Sequence, residues 1–101
     1  MGFDVVLYDH KGQKLETFEL SESLHNAIFN PSMLWRSYLE LRKLCDYYLT
    51  DETFSGEKLR KLITDLNQYQ RNIPNHKKND FQEFISKISH SIVSSVHIAG
   101  D

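Results

Sequence analysis

Cysteine is nearly missing from the sequence of 101 residues: Cys45 stands alone, so no intrachain disulfide can form. Small secreted domains usually lean on disulfides, so a reducing cytoplasm is the expected compartment. Glycine occurs four times and proline twice, too few for a phosphate-cradling loop or a proline-rich linker. No stretch approaches the roughly 20 apolar residues that a membrane span requires. The opening residues lack the basic segment and apolar run of a signal peptide. A strong excess of either charge is missing as well. The net charge is −2, whereas nucleic-acid binders usually carry the basic surplus that neutralises phosphates.

What is present is the composition of a folded protein, with 40% hydrophobic, 26% charged and 12% aromatic residues. The length predicts a single domain over residues 1–101. Phe3, Val5 and Leu7 alternate with Asp4, Val6 and Tyr8, and Phe18 and Leu20 alternate with Leu15 and Thr17. With Gly12 in the polar break between them, these runs predict a β-hairpin over residues 3–20.

From residue 22 to 98 the pattern predicts helices. Ser21 or Ser23 caps a short one carrying Leu24, Ala27, Ile28 and Phe29. A long second helix is expected from about Pro31 to Leu49, on the spacing of Leu34, Tyr38, Leu41, Cys45 and Tyr48. Thr50–Gly56 reads as an acidic loop. A third helix starts at Ser55 and carries Leu59, Leu62, Ile63, Leu66, Tyr69 and Ile73, with Pro74 stopping it. Asp80 and Glu83 form a capping-box pattern for a fourth, with Phe81, Phe84, Ile85, Ile88 and Ile92 as its stripe. That helix is expected to run to about Ser95, although Val93–Ile98 is β-branched enough for a strand. The expected fold is therefore α+β and helix-dominated, an N-terminal hairpin packed on a bundle of three to four helices.

No catalytic or metal-binding spacing is present. None of His10, His25, His76, His90 and His97 lies four residues from another histidine, and there is no Cys-x-x-Cys or His-Glu-x-x-His. His90 and His97 would share a face only on a helix continued through Val96. Cys45 falls on the expected buried stripe, where a thiol behaves as a small hydrophobe. The chain is thus expected to be no enzyme and to need no cofactor or metal.

Charge is unevenly placed. Residues 1–30 hold Asp4, Asp9, Glu16, Glu19 and Glu22 against Lys11 and Lys14, a balance of −3, whereas residues 56–101 balance to +2. Acidic surfaces steer basic partners into contact, and Asp51-Glu52 forms a further acidic knob. Lys58, Arg60, Lys61, Arg71, Lys77 and Lys78 are the basic cluster, and a small regulator using the third helix on nucleic acid is the alternative it offers. Tyr47 lies off the helical stripes and is of a residue type that anchors interfaces.

The stretches Met1–Asp9 and Ser23–Phe29 look like those of small bacterial or phage-borne proteins. Small size, acidity toward one end, the lack of catalytic residues and a hairpin-plus-helices plan give the whole chain a similarity to bacterial toxin-immunity proteins of the contact-dependent growth-inhibition type. The resemblance implies a cytoplasmic protein that binds a cognate toxin, a nuclease domain in particular, and occludes its active site. Its contacts would be drawn from Asp4, Asp9, Glu16, Glu19, Glu22, Asp51 and Glu52. Glu16 lies on the strand face opposite Thr17, so these carboxylates cannot all converge on one surface.

Overall fold

The hairpin forms where the alternation places it. In the computed structural model, which describes residues 3–100, strand β1 (Phe3–Tyr8) pairs antiparallel with β2 (Lys14–Leu20). Gly12 takes a φ of 81° in the connecting turn, a conformation that glycine adopts without steric cost. Met1, Gly2 and Asp101, the outer ends of the expected domain and of its opening stretch, lie outside the described residues. Helix α1 (Glu22–Phe29) follows, with the Ser21 hydroxyl accepting the Leu24 N–H at 3.1 Å. Leu24, His25, Ile28 and Phe29 face inward.

The expected helix over Pro31–Leu49 is not formed. Two short 3-10 turns, Leu34–Ser37 and Leu41–Leu44, stand in its place. Of the expected stripe only Leu41 is buried, while Leu34 and Tyr48 are 55% and 63% exposed and Cys45 is exposed too. The segment is held by groups from elsewhere. The Trp35 indole donates to the Phe29 carbonyl at 3.0 Å, and a carboxylate oxygen of Asp65 accepts the N–H groups of Glu40 and Leu41 at 2.9 and 3.2 Å. Asp46 then takes the N–H groups of Tyr48 and Leu49, each at 3.0 Å, the local competition that ends helices at aspartate.

Asp65 lies on α2 (Gly56–Tyr69), so its two hydrogen bonds pin the irregular segment to a regular helix. Hydrogen bonds to a charged acceptor contribute about 1.5–3 kcal/mol. Asp65→Ala is expected to cost an amount in that range, read as a lowered urea midpoint at unchanged m-value.

Two further strands complete a sheet that the sequence pattern does not predict. β3 (Asp51–Ser55) occupies the expected acidic loop, and β4 (Ser95–Ala99) lies where the last helix was expected to fade. The last helix, α3, spans Lys78–Ile88, beginning before the expected cap at Asp80 and ending seven residues short of Ser95. Past its end, the Ser89 hydroxyl donates back to the Ile85 carbonyl at 2.7 Å. The strand order is β2-β1-β4-β3, antiparallel throughout, so the chain's last strand inserts between its first and third.

The fold is α+β, but the expectation of a hairpin on a helix bundle is overturned. The hairpin is half of a four-stranded sheet, and residues 22–98 contribute the other half. One face of that sheet, with Phe3, Val5, Leu7, Phe54, Val96 and Ile98, packs into a single cluster with the inward stripes of the three α-helices. Tyr69 reaches across this core to donate its hydroxyl to the Ile28 carbonyl at 3.0 Å. After β4, the Gly100 N–H donates to the Thr50 carbonyl at 2.6 Å. A Cβ at Gly100 would collide with the backbone of Tyr47 and Tyr48, which accounts for glycine there.

Candidate functional site

Among the described residues the three α-helices pack on the sheet face that carries Phe3, Val5, Leu7, Phe54, Val96 and Ile98, and the side chains alternating with these stand on the other face. Register sorts its side chains into three rows. The first runs Glu19, Asp4, Ala99, Asp51 across β2, β1, β4 and β3, and the second Thr17, Val6, His97, Thr53. The third runs Lys14, Tyr8, Ser95, Ser55. Asp4, Thr17, Glu19, Asp51 and Thr53 are exposed, and Val6, Tyr8 and His97 half-buried. Strands lie about 4.8 Å apart, so the three carboxylates of the first row span roughly 14 Å.

His97 sets the polarity of the middle of this face. Its Nε2 lies 2.7 Å from the Asp51 carboxylate. A carboxylate accepts, so the proton sits on Nε2. Among the described hydrogen bonds none links a hydroxyl or thiol to the ring's other nitrogen. Nor do the described residues hold a cluster of three or more histidine, cysteine or acidic side chains suited to a metal ion. What the face can do is present fixed negative charge on a stiff support.

The structure separates the carboxylates that the sequence grouped. Glu19 and Asp51 share the open face with Asp4. Asp9 serves the hairpin turn, accepting the N–H groups of Lys11 and Gln13, each at 2.9 Å. Glu16 points to the helical side and pairs with Lys87 of α3 at 2.8 Å. Glu22 lies in the first turn of α1, where a negative charge complements the helix dipole. Glu52 pairs with Ile98 across the strands, on the face opposite Asp51, and is half-buried.

Tyr47 is half-buried, stacked on Phe3 with centroids 5.4 Å apart and edge-on to His25 at 5.1 Å. The reading of Cys45 as a buried hydrophobe is corrected: it is exposed, because the helix that would have buried it does not form. His90 and His97 share no helical face, since His97 is on β4. The basic cluster is partly engaged: Lys61 pairs with Glu57 at 3.4 Å, Lys77 with Asp80 at 3.8 Å, and Lys78 donates to the Gln70 carbonyl at 3.4 Å. Sequence reasoning missed His97, Val6, Thr17 and Thr53 as face residues. The signal for His97 was the period-two alternation of the β-branched Val96 and Ile98 on either side of it.

No helix among the described residues is long and apolar enough to cross a membrane. Comparison of the chain with protein-family models, with curated proteins and with solved structures finds no match.

Proposed function

We propose that the protein is a non-catalytic binding partner that docks the open face of its sheet onto the basic active-site cleft of a toxin nuclease, acting in the cytoplasm as its immunity protein. The observation that supports this reading is the row Glu19, Asp4, Asp51 on the sheet face opposite the one that packs with the α-helices of the described residues. A cleft built to hold a line of phosphates presents a line of bases. A line of carboxylates competes for it, and a sheet holds such a line at little cost in ordering. Lys14, in the third row, stands at the opposite end from the acids. The face therefore has an electrical direction, which favours one docking orientation over its reverse.

The test begins with the C-terminal domain of any large secreted protein encoded immediately upstream of this chain. Tight 1:1 binding is expected, together with loss of nuclease activity in the complex. The triple variant Asp4→Lys, Glu19→Lys, Asp51→Lys is expected to weaken that binding by about 100-fold or more, as reversal of facing charges does. It leaves the core untouched. Retained affinity in the triple variant sinks the acidic-face reading, and a neighbour that never binds sinks the immunity reading.

A further inference from the structure

We propose that the outer edge of β2 joins a second copy of this chain, making a two-fold dimer with one continuous eight-stranded sheet. β2 is the outermost strand on its side, seven residues long. Alternate N–H and C=O groups of an outermost strand point away from the sheet and seek a partner. The other outermost strand, β3, is shorter at five residues. In an antiparallel dimer of this kind the axis stands perpendicular to the sheet, so both copies keep their helices on one side.

Charge selects both the partner and the register. On the helical side of β2 the Lys87 ammonium lies 4.4 Å from the centre of the Phe18 ring and 2.8 Å from the Glu16 carboxylate. An axis through Glu16 would set two carboxylates opposite each other. One through Phe18 would bring together the two lysines that sit over those rings. An axis through Thr17 does neither. It sets Glu16 of each copy opposite Phe18 of the other, so each Lys87 lies between its own Glu16 and that of the second copy. Two lysines and two glutamates then alternate across the axis. The pairing of β1 with β2 shifts register between Leu7 and Tyr8, opposite Lys14–Glu16, so regular pairing across the axis centres on Glu16–Phe18, where no like charges face each other. On the open face the axis brings Thr17 against Thr17, a pair that fits cross-strand contact.

Sedimentation and cysteine cross-linking test this. The full chain is expected to reach twice its monomer mass as concentration rises. Thr17 is exposed, so Thr17→Lys leaves the fold intact while opposing two ammonium groups, and the dimer dissociation constant is expected to rise about tenfold or more. Mixing Thr17→Lys with Thr17→Glu chains is expected to restore a dimer, which a folding defect would not permit.

For the register, Thr17→Cys in a Cys45→Ser background is expected to cross-link fully under mild oxidation. Directly opposed Cα atoms lie about 4.5–5.5 Å apart, within disulfide reach. Glu19→Cys in the same background is expected to stay reduced, its counterpart lying about 14 Å away. A chain that is monomeric at every concentration overturns the proposal, as does cross-linking at position 19 without cross-linking at 17.

Discussion

Ile98→Ala is expected to lower the stability of the folded chain by about 2–5 kcal/mol, while Ile92→Ala changes it by less than about 0.5 kcal/mol. Ile98 is 0% exposed on β4, between Val5 of β1 and Glu52 of β3. Removing three carbons there leaves a void that two neighbouring strands, both held by ladder hydrogen bonds, cannot close. Ile92 is 55% exposed in the connection before β4. Its truncation loses little buried surface. In a domain of this size the first variant is expected to melt at least about 10 °C lower, and the second is expected to track the wild type. The contrast is sharp because a helix continued to Ser95 reverses it, burying Ile92 beside Ile85 and Ile88 and leaving Ile98 in a loose tail. A large loss at Ile92 with none at Ile98 refutes the inserted strand.

That reversal shows which parts of the fold were legible in the sequence. The hairpin, α1 and α2 follow from local chemistry: alternation with Gly12 in its turn, the Ser21 cap, and the spacing of Leu59, Leu62, Leu66 and Tyr69. β3 and β4 do not. Ser95–Ala99 is five residues long and becomes a strand because β1 and β3 flank it. Asp51–Ser55 is poor in strand-forming residues apart from Phe54 and the threonine beside it, and it is carried by pairing with β4 and by the burial of Phe54. The segment over Pro31–Leu49 failed for the converse reason. Its apolar residues keep helical spacing, yet Asp65, Phe29 and Asp46 satisfy its backbone and indole groups in another arrangement. Spacing reports only which side chains are apolar. Which of them find a partner depends on contacts 24 or 25 residues away, as the hydrogen bonds to Asp65 do.

The candidate face was legible to the same extent. That the N-terminal part carries an acidic surface could be read from the positions of its carboxylates. Which of them share a row could not, because Glu19 and Asp51 lie far apart in sequence and are aligned only across β1 and β4. Asp9 and Glu16 belong to the same stretch, yet the turn consumes one and Lys87 the other. A count of charge along the chain cannot separate a carboxylate that holds the fold from one that faces outward.

His25 is a buried polar group of the core, and His25→Ala is expected to cost about 3–5 kcal/mol. The imidazole is buried, donates from Nε2 to the Leu44 carbonyl at 2.8 Å, and lies 4.6 Å from the Phe3 and Phe29 rings and 5.1 Å from that of Tyr47. It thereby ties α1 to the irregular segment and to β1 at once. Burial holds its pKa below the ordinary 6.5, against the opposing pull of the Leu44 carbonyl, Asp46 and Glu22. The unfolded chain therefore takes up this proton at a higher pH than the folded chain does. Stability from this group is complete above 6.5 and declines as pH falls from there toward the folded value, by at most about 1.4 kcal/mol per pH unit for one proton. His25→Phe keeps the ring contacts, strands the Leu44 carbonyl at a cost of about 1–3 kcal/mol, and removes the titration. Denaturant midpoints of the two proteins, measured from pH 8 downward, are expected to converge as the wild type loses its advantage below 6.5. Parallel curves across that interval would mean that the imidazole titrates alike in the folded and unfolded chain, and hence that it is not held neutral inside the core.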